Sequence, residues 1–314
     1  MPSISIPDDA PSVLAASAAF PVLHGLGKIA YQDTLPGSED ELIERIGSSE
    51  AVLNIRATTR FTARVFDACP NLRLVSVWGT GTDHLDLAAA QRRGVAIANT
   101  PGVSATSIAE HALALLFAVA RRIPEMDAAT RRGAWPRGRF VQLAGKTCGV
   151  VGYGAVGREF ARLASGIGMH VICWTMHRDR YPGVVFTTLD ELFSTSDVVS
   201  LHLRLSPETH HFVGAGQFAR MKPAAILINT ARGAIVDEDA LIDALVSGQI
   251  GGAGLDVFTG EPLPSGAFVL EAPNTVISPH CAGITPEALE AGLALAVDNI
   301  RAYFAGRPEN VVTR

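Results

Sequence analysis

Three glycines between a short apolar run and a helical pattern constrain this chain more than any other feature. They occur as Gly152-x-Gly154-x-x-Gly157, directly after the apolar segment 148–151, and a second apolar run occupies 170–174. A strand, a glycine turn, a helix and a second strand in this order predict a βαβ unit that binds a dinucleotide. We expect Gly152 to permit the turn, Gly154 to admit a pyrophosphate, and Gly157 to let helix and strand pack closely. The phosphates would then lie at the N-terminus of the helix.

The composition indicates a globular protein with a large core. The chain has 314 residues, enough for about two domains, of which 48% are hydrophobic and 18% charged. A net charge of −5 argues against nucleic acid as a partner. The four cysteines are scattered, which favours free thiols in a reducing compartment and no metal site. The N-terminus lacks a basic segment and the apolar stretch 112–120 is too short to span a membrane, so we expect no signal peptide, no membrane and a cytoplasmic location.

Alternating strand and helix patterns in residues 1–100 predict a parallel sheet covered on both faces. The expected strands are 28–31, 51–55, 72–77 and 95–98, and the expected helices include 39–46 and 85–93. No glycine fingerprint occurs in this half, so the dinucleotide site is not expected there. The turn at 78–83 follows a strand, where ligands bind in open α/β sheets. It is either a substrate loop or a plain tight turn.

The second part of the chain repeats the alternation. A helix over 104–122 is apolar nearly all round, so we expect it to be buried, and residues 135–145 are expected to form a loop. Further strands are expected at 197–201, 225–228, 251–257 and 275–278, followed by an amphipathic helix over 286–304 that packs back on the first half. The predicted fold is therefore α/β, with two doubly wound parallel-sheet domains. Residues 1–102 and 286–314 form the predicted substrate domain, and residues 103–285 the dinucleotide domain.

Three segments in the C-terminal third each place a functional side chain after a predicted strand. The side chains are Arg232, Glu261 and His280. Each alone is compatible with an ordinary structural role, as a surface ion pair, a solvated turn or a hydrogen-bonded histidine. Reduction of an α-keto acid needs a cation for the carboxylate, a proton donor near neutral pH, and a carboxylate that orients the donor. The three residues supply one of each.

The motifs together resemble those of the D-isomer-specific 2-hydroxyacid dehydrogenases, which include glyoxylate and hydroxypyruvate reductases and 3-phosphoglycerate dehydrogenase. The resemblance covers nearly the whole chain. It is carried by the glycine motif and by segments 78–86, 99–102, 229–233, 256–262 and 278–283. It implies a flavodoxin-like substrate domain, a Rossmann NAD(P)-binding domain, and a homodimer formed through the cofactor domains.

The resemblance also implies roles for individual residues. Arg232 would bind the substrate carboxylate and polarise the carbonyl. His280, paired with Glu261, would be the acid in reduction and the base in oxidation. Backbone amides around Thr80 and Gly81 would bind the substrate carboxylate.

Arg56 is a further candidate for substrate binding. The implied cofactor contacts are Thr106, Gly152, Gly154, Ala155, Val156, Gly157, Thr175, Arg178, Pro207, Thr230, Ala231, Asp256 and Gly283.

Thr175 departs from the pattern of the family's NAD users. Those proteins commonly end the second cofactor strand with an acid that binds the ribose 2′-hydroxyl, whereas Thr175 is followed by Arg178 and Arg180. An acid there would repel a 2′-phosphate, and its absence beside two arginines favours one. We therefore expect NADP(H) to be favoured over NAD(H). The alternative is that the arginines form a solvated loop with slight selectivity.

The functional hypothesis is an oxidoreductase that transfers hydride between NADPH and a small 2-keto acid, with glyoxylate and hydroxypyruvate as first candidates. Within the same class, a phosphoglycerate- or phosphite-type dehydrogenase remains an alternative. Formate dehydrogenases pair their histidine with glutamine, so Glu261 argues against that activity. From a different class, a dinucleotide-sensing protein resembling the C-terminal-binding corepressors remains open, since those proteins keep the Arg/Glu/His set. The sequence does not specify the keto acid.

Overall fold

The computed structural model describes residues 1–138 and 140–313, and the chain divides into two units. The first unit comprises Met1–Ser104 and the C-terminal residues from Ile284 onward, and the second comprises Ala105–Gly283. Each unit is built on its own parallel sheet. The assignment of substrate to the first unit and coenzyme to the second stays a prediction.

The sheet of the first unit has five parallel strands. They are β1 (Ser3–Ile6), β2 (Lys28–Tyr31), β3 (Ala51–Asn54), β4 (Leu74–Val77) and β5 (Ala96–Ala98). Their order in the sheet is β2-β1-β3-β4-β5. This is the flavodoxin-like order of a doubly wound sheet.

The sheet of the second unit has six parallel strands. They are β6 (Thr147–Val151), β7 (His170–Trp174), β8 (Val198–Leu201), β9 (Ile226–Asn229), β10 (Gly252–Leu255) and β11 (Thr275–Ile277). The order is β11-β10-β9-β8-β6-β7. The chain runs outward from β6 to β7 and then returns to place β8 on the other side of β6. Ligands of doubly wound sheets bind where the strand order reverses, which here is between β6 and β8.

Eleven α-helices occur among the described residues. They are α1 (Ala19–His24), α2 (Glu39–Ile46), α3 (Ala63–Ala68), α4 (Leu87–Arg92), α5 (Ala105–Arg121), α6 (Ile123–Arg131), α7 (Ala155–Gly166), α8 (Leu189–Thr195), α9 (Ala215–Phe218), α10 (Glu238–Val246) and α11 (Pro286–Phe304). Side-chain caps define several starts, as in α11, where Thr285 accepts a hydrogen bond from the amide of Ala288 at 3.2 Å and Pro286 fills the first position. In the described part of the chain, no helix combines the length and apolar character needed to cross a bilayer.

Helices cover both faces of each sheet, which is why the strands are buried on both sides. In the first unit, α2, α3 and α4 pack on one face and α1 and α11 on the other. In the second unit, α5 and α7 cover one face and α8, α9 and α10 the other. The α/β prediction with two parallel doubly wound sheets is confirmed.

Several elements were not predicted from the sequence, and one helix is less buried than predicted. The elements without a prediction are β1, α1, α3, α6, α8, α9 and α10; β1 is only four residues long and α6 buries no side chain. The expectation that the helix after residue 104 is buried holds for one face only. One face of α5 packs on β9 and β10, while Glu110 and Ala114 are exposed. Alanine is small and weakly apolar, so an alanine-rich helix can leave one face in solvent.

Candidate active site

Asp256, directly after β10, organises the loop that follows β11. Its side chain is fully buried. One carboxylate oxygen, Oδ1, accepts hydrogen bonds from Ser278 Oγ at 2.6 Å and from the Cys281 amide at 2.9 Å, and Oδ2 accepts one from the Ala282 amide at 2.8 Å. The Asp256 carbonyl accepts a bond from the His280 amide, also at 2.8 Å. One residue therefore fixes the backbone on both sides of His280.

His280 and Glu261 form a direct pair. His280 Nδ1 lies 2.7 Å from Glu261 Oε2, and the two side chains are 41% and 31% exposed. The other Glu261 oxygen accepts a hydrogen bond from the Phe258 amide at 2.9 Å. His280 has a φ of +52°, a conformation that costs energy for a residue with a Cβ. The imidazole is thus held by a fixed loop and by a carboxylate.

The surroundings of Glu261 keep it ionised. Burial alone would raise its pKa, but the hydrogen bonds from His280 and the Phe258 amide, with the positive charges of His280 and Arg232, lower the pKa below its usual value. A carboxylate can only accept hydrogen bonds, so the proton of the shared contact resides on His280 Nδ1. Nε2 is then the ring nitrogen that can exchange a proton with a reacting group.

Arg232 lies directly beyond β9, beside this pair. Its carbonyl accepts a hydrogen bond from Asn229 Nδ2 at 2.9 Å, and its Nη1 donates to the Ala231 carbonyl at 2.8 Å. A Cβ on the next residue, Gly233, would lie 1.9 Å from the Phe258 carbonyl carbon. Glycine is therefore required for the loops after β9 and β10 to approach each other. The structure brings Arg232, Glu261 and His280 together at the carboxyl ends of β9, β10 and β11.

The glycine turn after β6 has the geometry expected of a phosphate-binding turn. Gly152 has a φ of +95°, and a Cβ there would lie 2.5 Å from the carbonyl oxygen of His202. A Cβ on Gly157 would lie 2.0 Å from the Gly152 carbonyl oxygen. At Gly154, the residue before α7, a Cβ would meet nothing within 4 Å. Two glycines are thus required by packing, and the third faces open space at a helix N-terminus.

A dinucleotide fits the residues around this turn. Ala155 and Val156 begin α7, so their amides belong to the helix N-terminus that favours a phosphate. At the end of β9, the hydroxyl of Thr230 is buried and has no hydrogen-bond partner in the described parts of the chain. A buried polar atom without a partner is rare in a protein interior. The polar atoms of a bound coenzyme would satisfy it.

The other predicted cofactor residues lie in varied surroundings. Thr175 is buried after β7, and its Oγ1 accepts a hydrogen bond from the His177 amide at 3.3 Å. Arg178 is exposed and donates from Nη2 to the Thr187 carbonyl at 2.8 Å. Thr106 lies in the first turn of α5.

For the remaining cofactor candidates, the structure gives a position in the fold. Pro207 is exposed after β8, Ala231 follows Thr230, and Gly283 ends the second unit. The Asp256 carboxylate is occupied by its own loop, so its contact with the coenzyme stays a prediction.

The predicted substrate residues Thr80 and Gly81 lie in the first unit, in the loop after β4. Thr100 anchors this loop by accepting a hydrogen bond from the Gly79 amide at 2.7 Å, and Asn99 Nδ2 donates to the Thr80 carbonyl at 2.8 Å. Among the described residues, the amides of Thr80 and Gly81 donate to no protein acceptor. Within the described parts of the chain these two amides are thus left available to an anionic ligand.

Arg56, the other predicted substrate residue, follows β3 in the same unit. Its guanidinium donates to the Pro11 carbonyl, and its amide donates to the buried Asp8 carboxylate at 3.2 Å. Its backbone and side chain are therefore both held by the segment after β1.

Sequence reasoning missed two residues of this site, Ser278 and His111. His111 Nε2 lies 2.8 Å from Ser278 Oγ, although the two residues are 167 positions apart. A histidine in an apolar helix gives no signal of such a contact. Only the strand order, which places β11 beside α5, brings them together.

Comparisons with known proteins agree with this geometry. Residues 113–282 match the family described as D-isomer specific 2-hydroxyacid dehydrogenase, NAD binding domain. A glyoxylate reductase of Korarchaeum cryptofilum is 38% identical over 90% of this chain and 89% of its own. A glycerate dehydrogenase of Methylorubrum extorquens is 38% identical over 87% of this chain and 88% of its own.

A solved structure extends the match across both units. An acyclic imino acid reductase in complex with NADPH and D-Arg has a TM-score of 0.91 and 29% identity, over 99% of each chain. The family match covers more than half of the sequence, and both relatives are 38% identical to this chain over most of its length. This chain belongs to the D-isomer-specific 2-hydroxyacid dehydrogenases, a family of NAD(P)-dependent oxidoreductases.

Proposed function

We propose that the protein is an NADPH-preferring reductase of small 2-keto acids, with glyoxylate and hydroxypyruvate as its first candidate substrates. The observation that carries the proposal is the 2.7 Å contact between His280 and Glu261, with Arg232 beside them. A proton donor, its orienting carboxylate and a guanidinium are the groups that this reduction needs.

His280 would protonate the substrate oxygen. A bound nicotinamide supplies the hydride that is added to C2 of the keto acid. As the C=O bond is reduced, the carbonyl oxygen takes the proton from His280 Nε2 and becomes the hydroxyl of the product. Glu261 stabilises the protonated imidazole that precedes transfer, because its own charge persists at neutral pH. His280 is then reprotonated from solvent.

Arg232 would bind the substrate carboxylate and polarise the carbonyl. Its planar guanidinium can donate two parallel hydrogen bonds to a carboxylate. The amides of Thr80 and Gly81 would bind the same carboxylate from the first unit. We propose accordingly that the first unit, with Arg56 near its substrate loop, recognises the acid and that the second binds the coenzyme. The names of the relatives, glyoxylate reductase and glycerate dehydrogenase, support a small substrate.

The loop after β7 supports the preference for NADPH. Thr175 places a hydroxyl where an acid would exclude a 2′-phosphate, and the exposed Arg178 follows it. One nitrogen of Arg178 is anchored on the Thr187 carbonyl. The anchor orders the side chain and leaves further N–H groups to bind a phosphate. The imino acid reductase of similar fold is itself a complex with NADPH.

The test is kcat/KM for a panel of 2-keto acids with NADPH and with NADH. We expect turnover of glyoxylate and hydroxypyruvate, with higher kcat/KM for NADPH. The change Arg178→Ala should reduce the preference about tenfold or more. Arg220→Ala, an exposed arginine elsewhere in the second unit, is the matched control and should retain the preference. Higher kcat/KM with NADH in the unaltered protein would refute the coenzyme assignment. Coenzyme binding without turnover of any keto acid would favour a dinucleotide sensor instead.

We also propose that the protein is a homodimer formed through the second unit. In this unit, α6 buries no side chain, and Ile123, Trp135 and Phe140 are 53%, 77% and 39% exposed. Large apolar side chains exposed in one stretch of chain are typical of a protein interface.

A cytoplasmic location is part of the same proposal. It is supported by the cysteines, all four of which lie in the described residues as free thiols. Free thiols are usual in a reducing compartment.

A further inference from the structure

We propose that His111 on α5 is a positioning residue for the acid–base histidine. It acts through Ser278 and Asp256, which fix the loop that carries His280. The inference rests on the proposed reductase function, because it assigns His111 a role in the same proton transfer.

The contact between His111 and the loop is direct. His111 Nε2 lies 2.8 Å from Ser278 Oγ and 3.6 Å from Asp256 Oδ1. Its side chain is only 27% exposed, and Asp256 is fully buried. The hydrogen bond to Ser278 is part-buried, so water competes with it less than at the surface.

The distances and the available protons give one consistent arrangement along the contacts from His111 to Ser278 to Asp256. Ser278 has one hydroxyl proton, which it donates to Asp256 Oδ1 at 2.6 Å. The same oxygen accepts the Cys281 amide at 2.9 Å. Since the serine proton is already used, His111 must donate through Nε2–H to the lone pair of Ser278 Oγ. The result is one directed chain from His111 to Ser278 to Asp256.

The far end of this chain is the backbone of the catalytic loop. The carbonyl and carboxylate of Asp256 together accept hydrogen bonds from three consecutive amides, those of His280, Cys281 and Ala282. His280 is held there with a φ of +52°, which persists only while the surroundings enforce it. Without the donor on α5, the Ser278 hydroxyl loses its hydrogen bond to the helix. The loop then loses this tether, and His280 spends less time aligned with Glu261.

A metal site at the same place would require the same atoms. His111, Asp256 and Cys281 have ligand atoms within 4.8 Å of one another. The oxygens of Asp256 already accept three hydrogen bonds from its own loop, however, and its lone pairs are directed toward those donors. The contacts therefore favour, over a metal site, a network of hydrogen bonds that holds the loop.

The test compares His111→Leu with His111→Gln. Glutamine can present an amide N–H near the position of Nε2, whereas leucine of similar size cannot donate. We expect kcat for keto-acid reduction to fall about tenfold in His111→Leu, the size expected for one buried hydrogen bond. It should recover to within about threefold of the unaltered enzyme in His111→Gln. The Kd of NADPH, measured by fluorescence, should change less than about twofold in both. Glu110→Gln, an exposed neighbour on α5, is the control and should leave kcat unchanged.

Ser278→Ala provides a second route. It should lower kcat at least as much as His111→Leu, and the double variant should be no worse than Ser278→Ala alone, because both changes interrupt one chain. Unchanged kcat in His111→Leu, equal loss in His111→Gln, or additive losses in the double variant would each overturn the inference. Inhibition of the unaltered enzyme by EDTA would overturn it in favour of a metal. If the unaltered protein reduces no 2-keto acid, the proposed function fails and takes this inference with it.

Discussion

Glu261 and Asp256 lie five residues apart, and their surroundings assign them different tasks. Glu261 is partly exposed and is paired with His280, whereas Asp256 is buried and accepts hydrogen bonds from its own loop. The first carboxylate can respond to the charge of the imidazole during a reaction. The second fixes the backbone on which that imidazole is carried.

Replacing Glu261 should slow reduction. The carboxylate holds His280 through Nδ1 at 2.7 Å and so orients Nε2 as the proton donor, and Glu261→Gln removes its charge. We expect kcat/KM for glyoxylate at neutral pH to fall at least about tenfold in Glu261→Gln, with the Kd of NADPH unchanged within about twofold. The measurement is steady-state kinetics together with an NADPH titration. An unchanged kcat/KM would show that the pairing has no role in proton donation.

The same residue makes a prediction for stability. The pKa of Glu261 is lowered in the folded protein, so its ionised form contributes stability above the ordinary glutamate value of 4.5. That contribution is lost as the pH falls through the lowered value. The difference in Tm between the unaltered protein and Glu261→Gln should therefore shrink on acidification below about pH 4.5. A gap that stays constant to lower pH would contradict the lowered pKa.

At the level of single residues, the sequence predicted the three functional side chains but not the residues that hold them in place. Arg232, Glu261 and His280 could be found because each follows a recognisable strand within a short motif. The part played by His111 could not be predicted, since it depends on a contact across 167 positions. The hydrogen bonds that the Asp256 carboxylate accepts could not be predicted either, because they come from the amides of residues 281 and 282, whose positions depend on the folded loop.

At the level of elements, the turn between β6 and α7 uses its glycines for different reasons. Gly157 is needed because the helix lies against the Gly152 carbonyl, and any Cβ would collide with backbone. Gly154 has a φ of −73° and open space around it, so the folded chain itself does not require glycine there. The space at Gly154 is what a pyrophosphate would occupy.

Alanine at Gly154 and at Gly157 should distinguish a glycine needed for coenzyme binding from one needed for packing. Gly154→Ala should leave Tm within about 1–2 °C, because it creates no clash, but should weaken NADPH binding about tenfold or more. Gly157→Ala should lower Tm by several degrees, because the clash displaces α7. Thermal unfolding and NADPH titration of both variants provide the measurement. Normal NADPH affinity in Gly154→Ala would place the phosphates elsewhere.

Elements with strong patterns were predictable, and short or solvated ones were not. The buried strands β8 and β9 are mostly apolar, and α11 was located at residues 286–304 by its spacing and by Pro286. The helix α6 gave no periodic signal, because it buries nothing within its own unit. The weakly patterned α3 is six residues long, too short for a period to be read.

At the level of the whole molecule, the two parallel sheets differ in strand order and in what their carboxyl edges offer. The first, with order β2-β1-β3-β4-β5, offers the amides of the loop after β4. The second offers the glycine turn, Arg232 and the Glu261–His280 pair. The sequence predicted which strand ends carry these groups, because strand ends can be recognised from apolar runs that stop at polar residues; which unit binds substrate and which binds coenzyme stays a prediction. The sequence could not predict which 2-keto acid is accepted, because that preference depends on the shape of the loops.

The proposed dimer makes a prediction about the surface of the second unit. Light scattering coupled to gel filtration should give twice the mass of one chain for the unaltered protein. The double change Ile123→Glu and Trp135→Ser places a charge and a polar group on this exposed apolar surface and should give monomers. Leu35→Ser, which alters a comparably exposed side chain of the first unit (46%), is the control and should leave the dimer intact. A monomeric unaltered protein would refute the assembly.

The variant His280→Gln shows whether His280 delivers the proton when a 2-keto acid is reduced. Glutamine keeps a hydrogen-bonding group of similar reach but cannot act as an acid near neutral pH. In single-turnover reduction of glyoxylate by bound NADPH, we predict a rate about 10²–10⁴-fold lower than in the unaltered enzyme, with NADPH affinity preserved within about twofold. A variant that reduces glyoxylate within a fewfold of the unaltered rate would contradict the account.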